Sequence, residues 1–461
     1  MKEHTQPESV LDRMQIIQVL EGDLAMSEES AMPGYLKALI KHEGAAALDK
    51  SVPRNGGVVS KFGPPTVAIF DWFSVEFIDI LKNVCAELNV PIIPAVMFSS
   101  MSVFSLYQHF APAEKGGFID LWSRETQKLL AQSVEKNEAY ERTWWHMSDR
   151  LVEIPGLHPM YEFPQVTSIL GLASPMISEL FYNTWLSACM PEVKALIVHM
   201  PPEIEGEAIS ALEDALDKKI FAVGPQFTED VWEGKKPDLS SSTSYDGIAL
   251  EYLDEQLKLK GHGSVVYISF GSVCWPSKRL ELLTWLVLSL PAEMTFLLSG
   301  AAGHALSDEV RTSIEGRGKV VKFAPQWKVL NHPAVGFFVS HLGSNSMQES
   351  ILAGMPIVAF PFAGDQSEIT QLMCEKLKVS IELQQVRGAV DGKTRYNGVT
   401  IHSTEENIKA EMRDVFARIV GQEGREIRIR LAELRETYVR SHREGSHAAM
   451  VNLGRFASDR A

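Results

Sequence analysis

Short runs of β-branched and aromatic residues alternate along this chain with longer stretches of helical period. The apolar runs fall at residues 66–70, 90–95, 194–199, 219–223, 264–270, 295–299, 335–340 and 357–360. Strands spaced this way by helical segments predict α/β layers built around parallel sheets. After Gly224-Pro225 the rhythm breaks into a polar stretch, QFTEDVWEGKKPDLSSSTSYDG, the best linker candidate in the sequence. The segment LEYLDEQLKLKGHG then reads as a short helix and turn entering a second domain, which puts the boundary near residue 240. Close to the C-terminus, GREIRIRLAELRETYVRSHR reads as a solvated helix.

A length of 461 residues exceeds one ordinary core and suggests two domains. Apolar content of 45% and charged content of 22% are ordinary globular values, so each domain can bury a core. The formal charge of −15 argues against nucleic acid or anionic lipid as a partner. It leaves room for a nucleotide, because a small anion can be held by local backbone N–H groups. Cys85, Cys189, Cys274 and Cys374 show no CxxC spacing and read as buried small hydrophobes in a reducing compartment. The polar start MKEHTQPESVLDR lacks a signal-peptide core, and no apolar run reaches the ~20 residues of a membrane span. The expectation is a cytoplasmic protein with no transmembrane segment.

Two segments carry candidate chemistry. SVVYISFGS, residues 264–272, is a strand run ending in a Gly-containing turn, and ligands of open α/β sheets sit outside such strand ends. A tight turn that merely needs Gly271 would look the same. In AVGFFVSHLGSNSMQESILAG a strand runs through His-Leu-Gly-Ser into a helix opening at Asn345-Ser346, where a phosphate would meet free N–H groups and the positive helix end. Gly343 would allow close backbone approach, and His341, Asn345 and Ser346 could donate hydrogen bonds. Ser346-Met-Gln-Glu349 also fits a capping box, which needs no ligand.

From Phe323 to Gln366 the chain reads FAPQWKVLNHPAVGFFVSHLGSNSMQESILAGMPIVAFPFAGDQ. This resembles the UDP-sugar signature of the family-one UDP-glycosyltransferases: W-x-P-Q, H-x-G-x-N-S-x-x-E, G-x-P and D-Q, matched without insertion or deletion. The SFGS turn, the VGP at 223–225, YLDEQ and the closing REGSH are similar too, so the resemblance covers nearly the whole chain, tightly in the second half and loosely in the first.

The resemblance implies a GT-B fold, two Rossmann-like domains facing a central cleft. It places an acceptor-binding domain at 1–224, incomplete at its start, a linker at 225–260, a UDP-sugar domain at 261–440, and a C-terminal helix at 441–461 packing back toward the first domain. It implies that Phe323 stacks on uracil, Gln326 bonds the nucleoside and Glu349 the ribose hydroxyls. His341, Asn345, Ser346 and Ser272 would hold the diphosphate, with Gly343 in the same turn, while Asp365 and Gln366 would grip the sugar. Two departures stand out: Phe323 replaces the usual Trp, and Ser344 replaces a second Trp, removing a sugar-facing indole. Asp71, in PTVAIFDWFSVEF, stands where the family's acid orients a catalytic histidine, although a strand-end aspartate also suits a helix cap.

The family's histidine belongs in a Gly-His turn after the first strand, roughly a hundred residues before this aspartate by resemblance. No such turn occurs in the seventy residues that precede Asp71, and neither His4 nor His42 is suitably placed. MQIIQVLEG, residues 14–22, resembles the family's third strand, so the first two are expected to be missing, with an unpaired sheet edge as the result. The implied activity is inverting, metal-independent transfer of glucose, or alternatively xylose, from a UDP-sugar co-substrate to a hydroxyl of a lipophilic terpenoid, sterol or phenol. No cofactor is implied. A non-catalytic UDP-sugar binder is the alternative, and a nucleotide-sugar epimerase fits the D-Q and VGP segments poorly.

Overall fold

The computed structural model of the chain describes residues 65–74, 76–145, 150–161, 174–239, 247–271, 279–300, 306, 308–314, 316–362, 364–387 and 391–458, with Pro33, Leu36, Lys37, Ile40 and Lys41. His4, His42, residues 14–22, Ser272 and Cys274 lie outside the described residues.

The strands are β1 (Ala68–Asp71), β2 (Ala95–Ser99), the short pair β3 (Leu151–Val152) and β4 (Met160–Tyr161), β5 (Val193–Val198) and β6 (Lys219–Ala222). There follow β7 (Val265–Ser269), β8 (Thr295–Ser299), β9 (Gly318–Val321), β10 (Val335–Ser340), β11 (Ile357–Ala359) and β12 (Ser380–Glu382). A four-stranded sheet has the order β1-β2-β5-β6, with β1 and β2 parallel, and a six-stranded sheet has the order β12-β11-β10-β7-β8-β9. Every neighbouring pair of the second sheet is parallel.

Strands covered on both faces show unbroken apolar runs. Accordingly β7, β8, β10 and β11 are buried at every position. The expected strand at 90–95 instead begins at Ala95, because Pro91 and Pro94 have no N–H for a ladder. β9 and β12 escaped the pattern: Gly318 and Lys319 open the first, and Ser380 and Glu382 bracket a single isoleucine in the second.

The chain runs from β7 outward to β8 and β9, then returns to β10 on the other side of β7. The strand order therefore reverses between β7 and β10, whose ends lie side by side with Ser269 opposite Ser340. Such a reversal opens a crevice at the carboxyl edge of a parallel sheet.

The helices that bear on the site are α1 (Phe77–Glu87), α2 (Val103–Phe110), α3 (Pro202–Leu216), α4 (Gln326–Leu330), α5 (Ser344–Ala353), α6 (Gln366–Gln371), α7 (Glu405–Val420) and α8 (Gln422–Ser441). The G-x-P segment has a conformational reason: Gly354 ends α5 in the left-handed region at φ 70°, and Pro356 cannot continue the helix.

Three sequence readings change. The polar linker contains an anchored turn, in which Trp232 is buried and stacks on His442 with ring centroids 4.0 Å apart. The basic helix is amphipathic rather than merely solvated. α8 buries Ile427, Leu431, Leu434 and Tyr438, while Arg428 and Arg435 donate to the carbonyls of Gly336 and Leu352. Of the cysteines, Cys85 is buried, Cys374 half-buried and Cys189 exposed.

Among the described residues, contacts gather into two units. One holds residues up to Ser99 with Leu186–Ile197 and the chain from Val451; the other holds Ser100–Trp185 with Val198–Met450. No described helix is long and apolar enough to cross a membrane.

Below the edge of β12 a buried charge cluster fixes the start of α6. Arg387 pairs with Glu382, Arg395 reaches the same carboxylate at 2.7 Å, and Arg387 Nη1 donates to Ser367 Oγ at 3.2 Å. Burial alone would raise the Glu382 carboxyl, but the guanidiniums of Arg387 and Arg395 outweigh it and hold the group below its ordinary value. Replacing one partner strands the others in a dry interior. Glu382→Gln is therefore expected to lower the unfolding free energy by about 3–5 kcal/mol, measured by urea denaturation.

Candidate functional site

At the reversal point β10 ends in Ser340, and the next three residues form a tight turn. Leu342 is left-handed at φ 60° with its N–H donated to Ser340 Oγ at 3.1 Å, an arrangement that costs a non-glycine residue energy and persists because Leu342 is fully buried. His341 then lies against two glycines. A Cβ on Gly271 would stand 3.0 Å from the imidazole, and one on Gly343 would stand 2.7 Å from Nε2. Both positions must therefore lack a side chain for the ring to occupy this place. Burial pushes the His341 imidazole down to about 4, against an opposing contribution from the Ser269 backbone. At neutral pH the ring is uncharged and carries one N–H to donate.

Helix α5 begins at Ser344, one residue before the expected opening, with extended Gly343 at the N-cap and no side-chain cap. The first N–H groups of any α-helix lack intrahelical partners, so this end presents donors and a partial positive charge. Asn345 is exposed at that end. The capping-box alternative is not realised. Ser346 Oγ accepts from Gln326 Nε2 at 3.2 Å, and Glu349 Oε2 accepts from the same amide. Tyr267, on the buried strand β7, donates its hydroxyl to Gln326 Oε1 at 3.4 Å. Gln326, Ser346 and Glu349 are thus brought together as one polar cluster. Burial raises the Glu349 carboxyl, and the Gln326 amide partly offsets it. Phe323, just past β9, has 57% of its surface exposed, leaving an aromatic face open.

Asp365 and Gln366 are both buried at the start of α6. Asp365 does not cap its own helix; its Oδ2 accepts the Ser102 N–H at 3.0 Å. Burial pushes its carboxyl up to about 6. Gln366 Oε1 accepts from the Phe362 N–H at 2.6 Å, which fixes the amide across the turn. Asp71 is exposed at the end of β1, and its Oδ1 accepts the Phe73 N–H at 2.9 Å. The helix-cap alternative fails here, since α1 starts at Phe77 behind Glu76. Ser272 lies outside the described residues.

Ser344 stands where the resemblance implies a sugar-facing indole. It is buried, with Oγ 2.8 Å from His199 Nε2 and 3.7 Å from Met200 Sδ. Sequence reasoning missed His199, Tyr267, Ser102 and Glu205. The last carried a signal, because it occupies the apolar stripe of α3 with Ala208, Ile209 and Leu212.

Residues 251–387 match the family described as UDP-glucoronosyl and UDP-glucosyl transferase. A UDP-glycosyltransferase of Hericium erinaceus, eriJ, is 30% identical over 289 residues, 59% of this chain and 55% of that protein. The DIMBOA UDP-glucosyltransferase BX9 of Zea mays is 35% identical over 210 residues, covering 42% and 44%. The chain spans about half the length of these curated relatives. Among solved structures, a transferase of Siraitia grosvenorii in complex with UDP aligns with a TM-score of 0.59 at 21% identity, covering 96% of this chain and 86% of that one. Os79 of O. sativa in complex with UDP aligns at 0.55 and 18%, covering 93% and 82%. At such identities the likeness is one of fold, the GT-B arrangement of two Rossmann-like domains.

The raised carboxyl of Asp365 gives a pH dependence of known sign. Its folded value, about 6, exceeds the ordinary 3.8, so the folded state binds the proton more tightly and stability falls as pH climbs through that window. Asp365→Asn is expected to flatten this part of the profile of melting temperature against pH between about 4 and 6. Ser344→Trp, which must displace His199 and Met200, is expected to lower the melting temperature by several degrees more than Ser344→Ala.

Proposed function

We propose that this chain is a family-one UDP-glycosyltransferase that transfers a sugar from a UDP-sugar to a hydroxyl of a lipophilic small molecule. The observation that carries the reading is the row of groups along the carboxyl edge of the six-stranded sheet. Exposed Phe323 and the joined Gln326 and Glu349 suit a nucleoside. The neutral His341 and the uncapped start of α5 suit a diphosphate.

In this reading Phe323 stacks on uracil, Gln326 bonds the base, and Glu349 accepts from the ribose hydroxyls. His341, Asn345, Ser346 and Ser272 donate to the diphosphate, and Gly343 lets the backbone approach it. Asp365 and Gln366 meet the hydroxyls of the transferred sugar. The acceptor oxygen attacks the anomeric carbon, the bond to the diphosphate breaks with inversion, and UDP leaves with the electron pair. Donors fixed at the helix start stabilise the charge that gathers on it. As the resemblance implies, the acceptor proton would pass to a histidine base oriented by Asp71. The maize relative named above is a glucosyltransferase, which favours glucose, with xylose as the other candidate. The domain limits that suit this reading are 1–224 for the acceptor side, 225–260 for the linker, 261–440 for the donor side and 441–461 for the closing helix, in a cytoplasmic protein.

A second reading, a UDP-sugar binder without transfer, draws on Asp71, whose carboxylate bonds only the Phe73 N–H among the described residues.

Calorimetry and a transfer assay separate the two. UDP is expected to bind the full chain, with Phe323→Ala and Glu349→Ala each weakening it by about tenfold to a hundredfold, the scale of a lost stacking face or charged hydrogen bond. With UDP-glucose and a panel of lipophilic alcohols and phenols, transfer is expected, and Asp71→Ala should abolish it while leaving UDP affinity unchanged. UDP binding without transfer in the parent chain would favour the second reading, and loss of both would remove the first.

A further inference from the structure

Helix α3 buries Glu205, Ala208, Ile209 and Leu212, the spacing of a stripe that faces a core. A carboxyl group at the head of such a stripe is costly unless its oxygens are satisfied, and burial pushes that of Glu205 up to about 8. Glu205 is fully buried, and both oxygens have partners: Oε1 accepts from Ser102 Oγ at 2.5 Å, and Oε2 accepts the Val103 N–H at 2.8 Å. Neither Glu205 nor Asp365 forms an ion pair with a basic side chain among the described residues.

The two carboxyl groups meet at one residue. Ser102 gives its hydroxyl to Glu205 and its N–H to Asp365. It also stands at the N-cap of α2, whose eight residues are all buried. Ser102 therefore has little freedom to move, and Asp365 is turned away from its own helix toward that N–H.

We propose that Glu205 is a positioning residue for the donor sugar: by clamping Ser102 it fixes the N–H that sets the direction of the Asp365 carboxylate. The inference rests on the reading of Asp365 as a sugar contact. A clamp acting only through Asp365 should leave the nucleotide end of the site untouched and bear on the sugar alone.

The test compares UDP with UDP-glucose by calorimetry on the full chain at pH 7. In Glu205→Gln, UDP affinity is expected to stay within about twofold of the parent, while UDP-glucose binds about tenfold more weakly, the scale of one hydrogen bond. Asp365→Asn should give the same selective loss, and the double variant no more than either single, as expected of two residues acting through one contact. Should Glu205→Gln fail to fold, Ser102→Ala removes the clamped hydroxyl but keeps the N–H, and the same selective loss is expected.

A foldable Glu205→Gln or Ser102→Ala that keeps full UDP-glucose affinity while Asp365→Asn loses it would overturn the clamp and spare the donor reading. Equal weakening of UDP and UDP-glucose would also overturn it, since a general disturbance of the fold would act on both. A parent chain indifferent to the sugar, with Asp365→Asn silent, would overturn the clamp together with the reading beneath it.

Discussion

Parallel strands end together, and a helix that starts from such an end has backbone N–H groups without partners. In this chain that constraint is met at Gly343, where α5 begins with no side chain to cap it. The surroundings are arranged around the resulting donors. The tight turn before them holds Leu342 in a strained conformation, and the imidazole of His341 rests where two glycines leave room. Gln326 ties the first turn of α5 to Tyr267 of β7. Local strain at Leu342 is retained because full burial of its side chain over-determines the backbone.

Much of this was legible in the sequence. Seven of the eight apolar runs became strands within two residues of their expected limits, most plainly β7, β8, β10 and β11, where burial on both faces writes an unbroken apolar string. The exception, at 90–95, was misread because prolines passed for strand residues when only their hydrophobicity was weighed. β9 and β12 were invisible for the opposite reason: their polar residues find partners or solvent at the sheet's outer strands.

Polar residues were harder to place than apolar ones, because a sequence records a hydrogen-bonding group without its partner. Ser346 and Glu349 have the spacing of a capping box, yet both turn toward Gln326, which is distant in sequence and adjacent in space. Ser344 was read only as the loss of an indole, and its hydroxyl faces His199. Asp365 accepts the Ser102 N–H across a sequence separation that no local pattern encodes. Glu205 was the readable case, an acid on an apolar stripe, and it was passed over among the glutamates of α3.

The cluster of Glu382, Arg387 and Arg395 has a consequence for ionic strength. Mobile ions weaken charges they can surround, over a Debye length of about 8 Å at physiological salt. The surface pairs of this protein, such as Lys128 with Glu125 and Lys235 with Asp230, are open to that weakening. The three buried groups are closed to it. Concentrated electrolyte would therefore loosen the periphery while leaving Arg387 on Ser367, and with it the start of α6, in register. The two kinds of charge pair, alike in a sequence, divide the molecule into a salt-sensitive exterior and a salt-indifferent support for the residues that would face the sugar.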